Sequence, residues 1–149
     1  MLHFCTYFDS NYLVRFLPMY RSLARHCRGE FRLHVLCLDE PAHATITRLD
    51  LDDVVPVKLA TLEAAAPALA QTKHGRQKYE YYFTLTPSWM LYLLESGGGI
   101  DSITYLDADL YFFSDPQPLF EEIGTGSVAI VPHRFPPRLK YKEQCGKYN

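Results

Sequence analysis

The chain has 149 residues, room for one domain around a single core, and its 48% hydrophobic content is that of an ordinary globular protein. A formal net charge of −2 gives no electrostatic case for a nucleic-acid surface. No apolar run reaches the roughly 18 residues of a transmembrane helix, so none is expected.

The chain opens on a strand, Leu2-His3-Phe4-Cys5-Thr6-Tyr7-Phe8, rather than on a signal peptide: it has no basic leading region, and Asp9 interrupts it at once. Asp9-Ser10-Asn11 favours a turn and a helix N-cap. A helix is expected from about Tyr12 to Cys27, with Leu13, Phe16, Leu17, Tyr20, Leu23 and Ala24 on one face and Arg15, Arg21, Arg25 and Arg28 on the other. Pro18 predicts a kink, and Gly29 is a C-terminal stop. Phe31 to Leu38 reads as the second strand, and Asp39-Glu40-Pro41 opens a second helix. Val54 to Leu59 is a shorter third strand, whose Pro56 argues for an edge or a strand end.

Leu62 to Leu69 predicts a short helix, and Gln71 to Lys78 a basic exposed loop. Tyr79 to Glu95 reads as a helix in two pieces, the second capped by Thr86 with Pro87 at its first position. The triple glycine after Ser96 is a connector, since it lacks the Lys-Ser/Thr of a phosphate loop and follows a helix. The run around Leu106 reads as an inner strand, followed by a short helix from Pro118 to Ile123 and a last strand from Val128 to Val131. Strands alternating with helices predict an α/β sandwich with a mainly parallel sheet. The cysteines, Cys5, Cys27, Cys37 and Cys145, are scattered without a Cys-x-x-Cys pair, which argues against a zinc site or disulfide framework and fits a reducing, cytoplasmic setting. The 14% aromatic content serves either a large core or a surface that stacks on rings and sugars.

Ile103 to Phe113 carries the chemistry. An apolar run meets Asp107-Ala108-Asp109 and leaves as an aromatic run. Carboxylates are rarely buried without partners, so this step belongs where the strand ends. Strand alternation would aim Asp107 and Asp109 to one side, past the small Ala108. Two hard anionic ligands suit Mg²⁺ or Mn²⁺, which fill their other positions with water and substrate phosphates. A bare Asp-x-Asp more often marks a surface turn; the long apolar lead-in moves the reading toward a metal or phosphate site. Ligands of such sheets bind beyond the carboxyl ends of the strands, where Asp9-Ser10-Asn11 also falls.

Tyr105-Leu106-Asp107-Ala108-Asp109 resembles the Asp-x-Asp segment of the glycogenin and lipopolysaccharide galactosyltransferase family, retaining sugar-nucleotide transferases of the GT-A fold. Tyr7-Phe8-Asp9-Ser10-Asn11-Tyr12 is similar to the end of that family's first strand. The resemblance implies a GT-A-type Rossmann-like α/β/α sandwich, incomplete at the C-terminus, in which residues 1–149 form the N-terminal nucleotide-sugar-binding part of a glycosyltransferase domain. It implies a UDP-sugar donor, Mn²⁺ (or Mg²⁺) on its diphosphate held by Asp107 and Asp109, and Ala108 against the ribose. It further implies base contacts from Asp9 and the Tyr7 strand end, and a ribose contact from Asn11. The acceptor would be a carbohydrate, glycolipid or glycoprotein.

The sequence departs from the family in places. Thr84 stands where the family commonly has an arginine near the diphosphate, a charge that Arg76 or Lys78 would have to supply. The family's next motif, an Asn lining the sugar pocket, would begin at Asn149. Its later metal-ligating His and phosphate-gripping Lys have no counterpart, which implies a part of a longer protein with weak metal binding and little turnover of its own. Two rivals are a non-catalytic nucleotide-sugar binding module and a haloacid-dehalogenase-like phosphatase. The phosphatase motif sits early in its chain and carries Thr or Val where this sequence has Tyr111.

Overall fold

Parallel strands joined by helices run through residues 1–117, one of two compact units of the chain. A computed structural model describes residues 1–96, 98–130 and 135–144. In chain order, β1 (Leu2–Phe8) is followed by α1 (Leu13–His26), β2 (Phe31–Cys37), α2 (Glu40–Leu49) and β3 (Val54–Lys58). Then come α3 (Leu59–Ala65), α4 (Pro67–Thr72), α5 (Lys78–Glu95) and β4 (Thr104–Tyr105).

The sheet order is β3-β2-β1-β4, with every neighbouring pair parallel. The chain steps outward from β1 to β2 to β3, then returns across the sheet to lay β4 on the far side of β1. That reversal makes the β1/β4 junction a topological switch point, where connections leave in opposite directions and open a crevice at the carboxyl ends of the strands.

Alternation along the strands divides the core. Cys5 and Leu36 face Leu62, Leu69 and the α5 stripe Tyr81, Leu85, Trp89 and Leu93, all buried. On the other face, Phe8 packs its ring 4.5 Å from that of the buried Phe16, on α1. Burial pushes the Cys5 and Cys37 thiols up to about 12, as befits cysteines acting as small core hydrophobes.

Several expectations hold. Pro56 lies on β3, an edge of the described sheet, where its missing N–H costs least. Asp39 caps α2 through the Ala42 N–H at 2.9 Å. Others are corrected. β4 spans two residues and lies at an edge of the described sheet, where the sequence predicts a long inner strand. Helix α5 is continuous through Pro87 rather than broken at Thr86. A reciprocal cap between Gln77 and Glu80 starts it early. The four-residue stripe from Tyr81 to Leu93 then carries it across the proline against the core. The Leu62–Leu69 segment divides between α3 and α4, with Pro67 opening the second.

The second unit, 118–149, contains most of the short helix α6 (Gln117–Ile123) and 3-10 turns over Pro137–Gln144. Val128 to Ile130 are not in a strand; Val128 and Ile130 are exposed rather than paired, and Val131 lies outside the described residues. Asn149 also lies outside them.

Candidate functional site at the switch point

The ends of β1 and β2 are tied to each other before any ligand is considered. The Leu38 N–H donates to the Phe8 carbonyl at 3.0 Å, continuing the pairing by one step. Beyond it, the Ser10 hydroxyl donates to Asp39 Oδ2 at 2.8 Å and the Ser10 N–H donates to the same carboxylate at 3.0 Å. Burial works to raise the Asp39 carboxyl, but the bonds from Ser10 and Ala42 outweigh it and hold the group below its usual range. Asp9, half-buried, caps the 3-10 turn Ser10–Tyr12 by accepting the Asn11 N–H at 3.2 Å. One residue thus closes the turn and still presents its other oxygen outward, where Lys78 Nζ lies 3.5 Å away.

The second half of the site follows β4. The Leu106 N–H donates to the Cys5 carbonyl at 2.9 Å, the last rung of the β1/β4 pairing. The Leu110 N–H then donates to the Asp107 carbonyl at 3.2 Å and closes a turn over Asp107-Ala108-Asp109. Buried Ala108 pins this turn while both carboxylates stay exposed. The aromatic exit is fastened too: the Phe112 N–H donates at 3.0 Å to the hydroxyl of Ser22, a buried residue of α1. Asp107 and Asp109 therefore stand on a turn, not along a strand, and strand alternation does not set their direction. The turn sets it.

Both halves line one cavity of about 380 Å³. Its strand-end wall holds Tyr7, Asp9, Tyr105, Asp107, Ala108 and Asp109. Facing residues include Tyr79, Tyr82 and Phe83 of α5. Of the sequence-predicted binding residues, Tyr7, Asp9, Ala108, Asp107 and Asp109 meet here. Asn11 does not line the cavity; its side chain is exposed and its backbone serves the Asp9 cap. Thr84 and Arg76 line a different groove, against α3 and α4.

Three carboxylates on one cavity need counter-charge, and two cations stand by. Arg15 Nη1 is 3.9 Å from Asp109 Oδ2, with its guanidinium 4.6 Å from the centroid of the Tyr12 ring. Lys78 reaches both Asp9 and Tyr82; its hydrogen bond to the Tyr82 hydroxyl, with the Asp9 charge, raises its pKa. Tyr105 links the halves. Burial first, then Tyr7 and Asp107, hold its phenol protonated well above the usual range, with hydrogen bonds to both. The Thr86 hydroxyl donates to the Tyr7 hydroxyl at 3.3 Å, so the chain of contacts runs from α5 to Asp107.

Among the described residues no group of three or more His, Cys, Asp or Glu is placed to hold a metal by itself. Two hard carboxylates beside open space are the donor set of a cation that completes its shell with water and ligand oxygens, as Mg²⁺ and Mn²⁺ do. Sequence reasoning missed Arg15, hidden in the polar face of α1, and Tyr79, Tyr82 and Phe83. The last three recur at three- and four-residue steps beside the core stripe, a second face that could have been read from spacing.

No family model matches the chain. It is 32% identical over 148 residues to the uncharacterized protein YfnD of Bacillus subtilis, covering 99% of this chain and 47% of that protein. To the uncharacterized protein YfnF of the same organism it is 30% identical over 127 residues, covering 85% and 41%. The chain thus spans less than half the length of these curated relatives. Among solved structures it is similar to mouse xyloside xylosyltransferase 1, with a TM-score of 0.57 at 18% identity over 82% of this chain and 48% of that one. It is also similar to the glycosyltransferase GlyE of Streptococcus pneumoniae, with a TM-score of 0.51 at 16% identity over 99% and 36%.

Proposed function

We propose that the chain, which carries the GT-A-type α/β fold of those glycosyltransferases, is the donor-binding part of a metal-dependent glycosyltransferase. It would hold a nucleotide-diphosphate sugar such as a UDP-sugar for transfer to a carbohydrate, glycolipid or glycoprotein acceptor, with retention as in the glycogenin and lipopolysaccharide galactosyltransferase family. The observation that carries this reading is the convergence of Asp9, Asp107, Ala108 and Asp109 on one cavity at the β1/β4 switch point. Asp107 and Asp109 would hold Mn²⁺ or Mg²⁺. When bound, the cation supplies charge stabilisation to the leaving diphosphate.

The remaining roles belong to the chain. Asp9 meets the nucleoside end, whose contacts fix the donor's position without reacting. Tyr105 keeps its proton and directs it at Asp107, which orients that carboxylate as a positioning contact does. Lys78 and Arg15 offset charge around the anionic donor.

A second reading, a binding module without turnover, is favoured by one observation: Thr84 and Arg76 line the other groove, which leaves the diphosphate region without a helix-borne arginine from this stretch. The test is a thermal-shift screen of nucleotide-sugars with and without Mn²⁺. A metal-dependent shift that disappears in Asp107→Asn/Asp109→Asn supports the site; an unchanged shift in that double variant removes it. Hydrolysis of the bound donor by the full-length protein separates transferase from module. Phosphate release from simple monoesters would instead point to a phosphatase.

A further inference from the structure

Helix α5 is apolar on more than the face that its core contact uses. From Tyr81 to Leu94 it carries no charged side chain. One row of that stretch, Tyr81, Leu85, Trp89 and Leu93, is buried against the core. A second row at the same four-residue step, Phe83, Pro87 and Leu91, lies on the opposite side and stands in water. Phe83 is 73% exposed and Leu91 is 53% exposed. A helix that is apolar on both sides is stable where both are covered, and a contiguous exposed apolar row marks an interaction surface. The second row borders a groove of about 640 Å³ whose other wall comes from α3 and α4. Small residues, Ala65, Ala68, Thr84 and Ser88, line that groove beside the bulky row. Ridge and trough are thus neighbours on one surface.

The same groove carries one charge of each sign. Arg76 stands just before the start of α5, and Glu95 is its last residue. An 18-residue helix is about 27 Å long, so these two groups cannot meet within one molecule. Among the described residues neither makes an ion pair.

We propose that this face binds a second copy of the chain, with the two α5 helices packed near-antiparallel about a two-fold axis close to Pro87. Three observations favour a copy over any other partner. A two-fold rotation sets the ridge of each copy into the trough of the other, which a surface holding both features side by side allows. Phe83 and Leu91 are equally spaced about Pro87, so Phe83 of one copy meets Leu91 of the other, twice. The same rotation brings Arg76 of one copy to Glu95 of the other, also twice, and helices crossing at about 20° keep those ends within side-chain reach. The inference is independent of the nucleotide-sugar reading, since the groove runs along α5 away from Asp107 and Asp109.

The test is sedimentation equilibrium of the 149-residue chain and four variants, with circular dichroism as the check on folding. The substituted residues are exposed, so the monomers keep their helix content. The parent should fit a monomer–dimer equilibrium. Leu91→Glu places a charge near the centre of the contact and should weaken the dimer about thirtyfold or more. Arg76→Glu and Glu95→Arg should each weaken it about tenfold, because each sets like charges against each other at both ends. Arg76→Glu/Glu95→Arg restores opposite charges across the axis and should return the dimer to within about threefold of the parent.

A monomeric parent overturns the proposal and leaves the groove to a different occupant. A parent dimer indifferent to Leu91→Glu places the contact elsewhere and equally overturns it. Single reversals that weaken the dimer without rescue in the double reversal remove the two-fold pairing, and so does a parent that assembles beyond two copies.

Discussion

Tyr7 and Tyr105 lie on neighbouring strands with ring centroids 5.7 Å apart, and Tyr105 passes the contact on to Asp107 by a hydrogen bond. The pair joins the Asp9 half of the cavity to its Asp107–Asp109 half. Tyr105→Phe keeps the ring and deletes the O–H. We expect a stability loss of about 1 kcal/mol, the usual worth of one such bond, and a weaker Mn²⁺-dependent thermal shift with UDP. An unaltered metal-dependent shift would show that Asp107 needs no help in orientation.

Asp39→Ala removes a helix cap and, with it, the tie that holds Ser10 beside the β2 end. The cap alone is worth about 1 kcal/mol. Its pH dependence has a definite sign. The folded carboxyl titrates below its ordinary value of 3.8, so its stabilisation is fully present above that value and is lost as pH falls through the lower folded value. Urea unfolding at neutral pH should show the deficit of the variant, and the gap between parent and variant should narrow below about pH 4.

His34 makes the opposite residue type behave in the same direction. Burial first, then the neighbouring charges of His3 and Arg32, lower its pKa from 6.5 to about 4. The rings of His3 and His34 are stacked, with a hydrogen bond of 3.3 Å between His3 Nδ1 and His34 Nε2, so one nitrogen donates to the other and charging both rings is opposed. A histidine held neutral by the fold contributes stability above its unfolded value and loses it as pH falls from 6.5 toward 4. His34→Gln should therefore flatten stability between pH 7 and pH 5, measured by urea midpoints; a slope equal to the parent's would assign acid sensitivity elsewhere.

Trp89 is buried in the α5 core, and its indole N–H has no hydrogen-bond partner. Trp89→Ala should cost about 3–5 kcal/mol, the price of a large cavity. Trp89→Phe loses less volume and also removes an unsatisfied donor, so it should cost well under half of that. Chemical denaturation of the two variants checks the ratio.

What the sequence made legible was whatever local patterning controls. Strands β1, β2 and β3 are period-two or continuous apolar runs, and Asp39-Glu40-Pro41 signals its helix by chemistry at the cap. Asp9 and Asp107–Asp109 could be placed on one rim because parallel topology sends strand ends the same way. Less legible was anything decided by packing between distant segments. β4 carries the longest apolar lead-in yet pairs over only Thr104–Tyr105. The hydrophobicity of Ile103 to Phe113 is spent on a fastened turn, with Leu106 bonded to Cys5 and Phe112 to Ser22, 90 residues away in sequence. Thr86 looks like a cap until Tyr7, 79 residues earlier, takes its hydroxyl. Arg15 is one of several arginines on α1, and only the fold selects it for Asp109.

The shortness of β4 has a kinetic consequence. A strand held to the sheet over so few rungs opens and closes far more readily than its long neighbours, and the Leu106 amide is the rung nearest the carboxylates. Its exchange with deuterium should be fast in the free protein and slow once a cation and a pyrophosphate clamp the turn beyond it. That single amide would then serve as a built-in reporter of occupancy, readable without following any reaction.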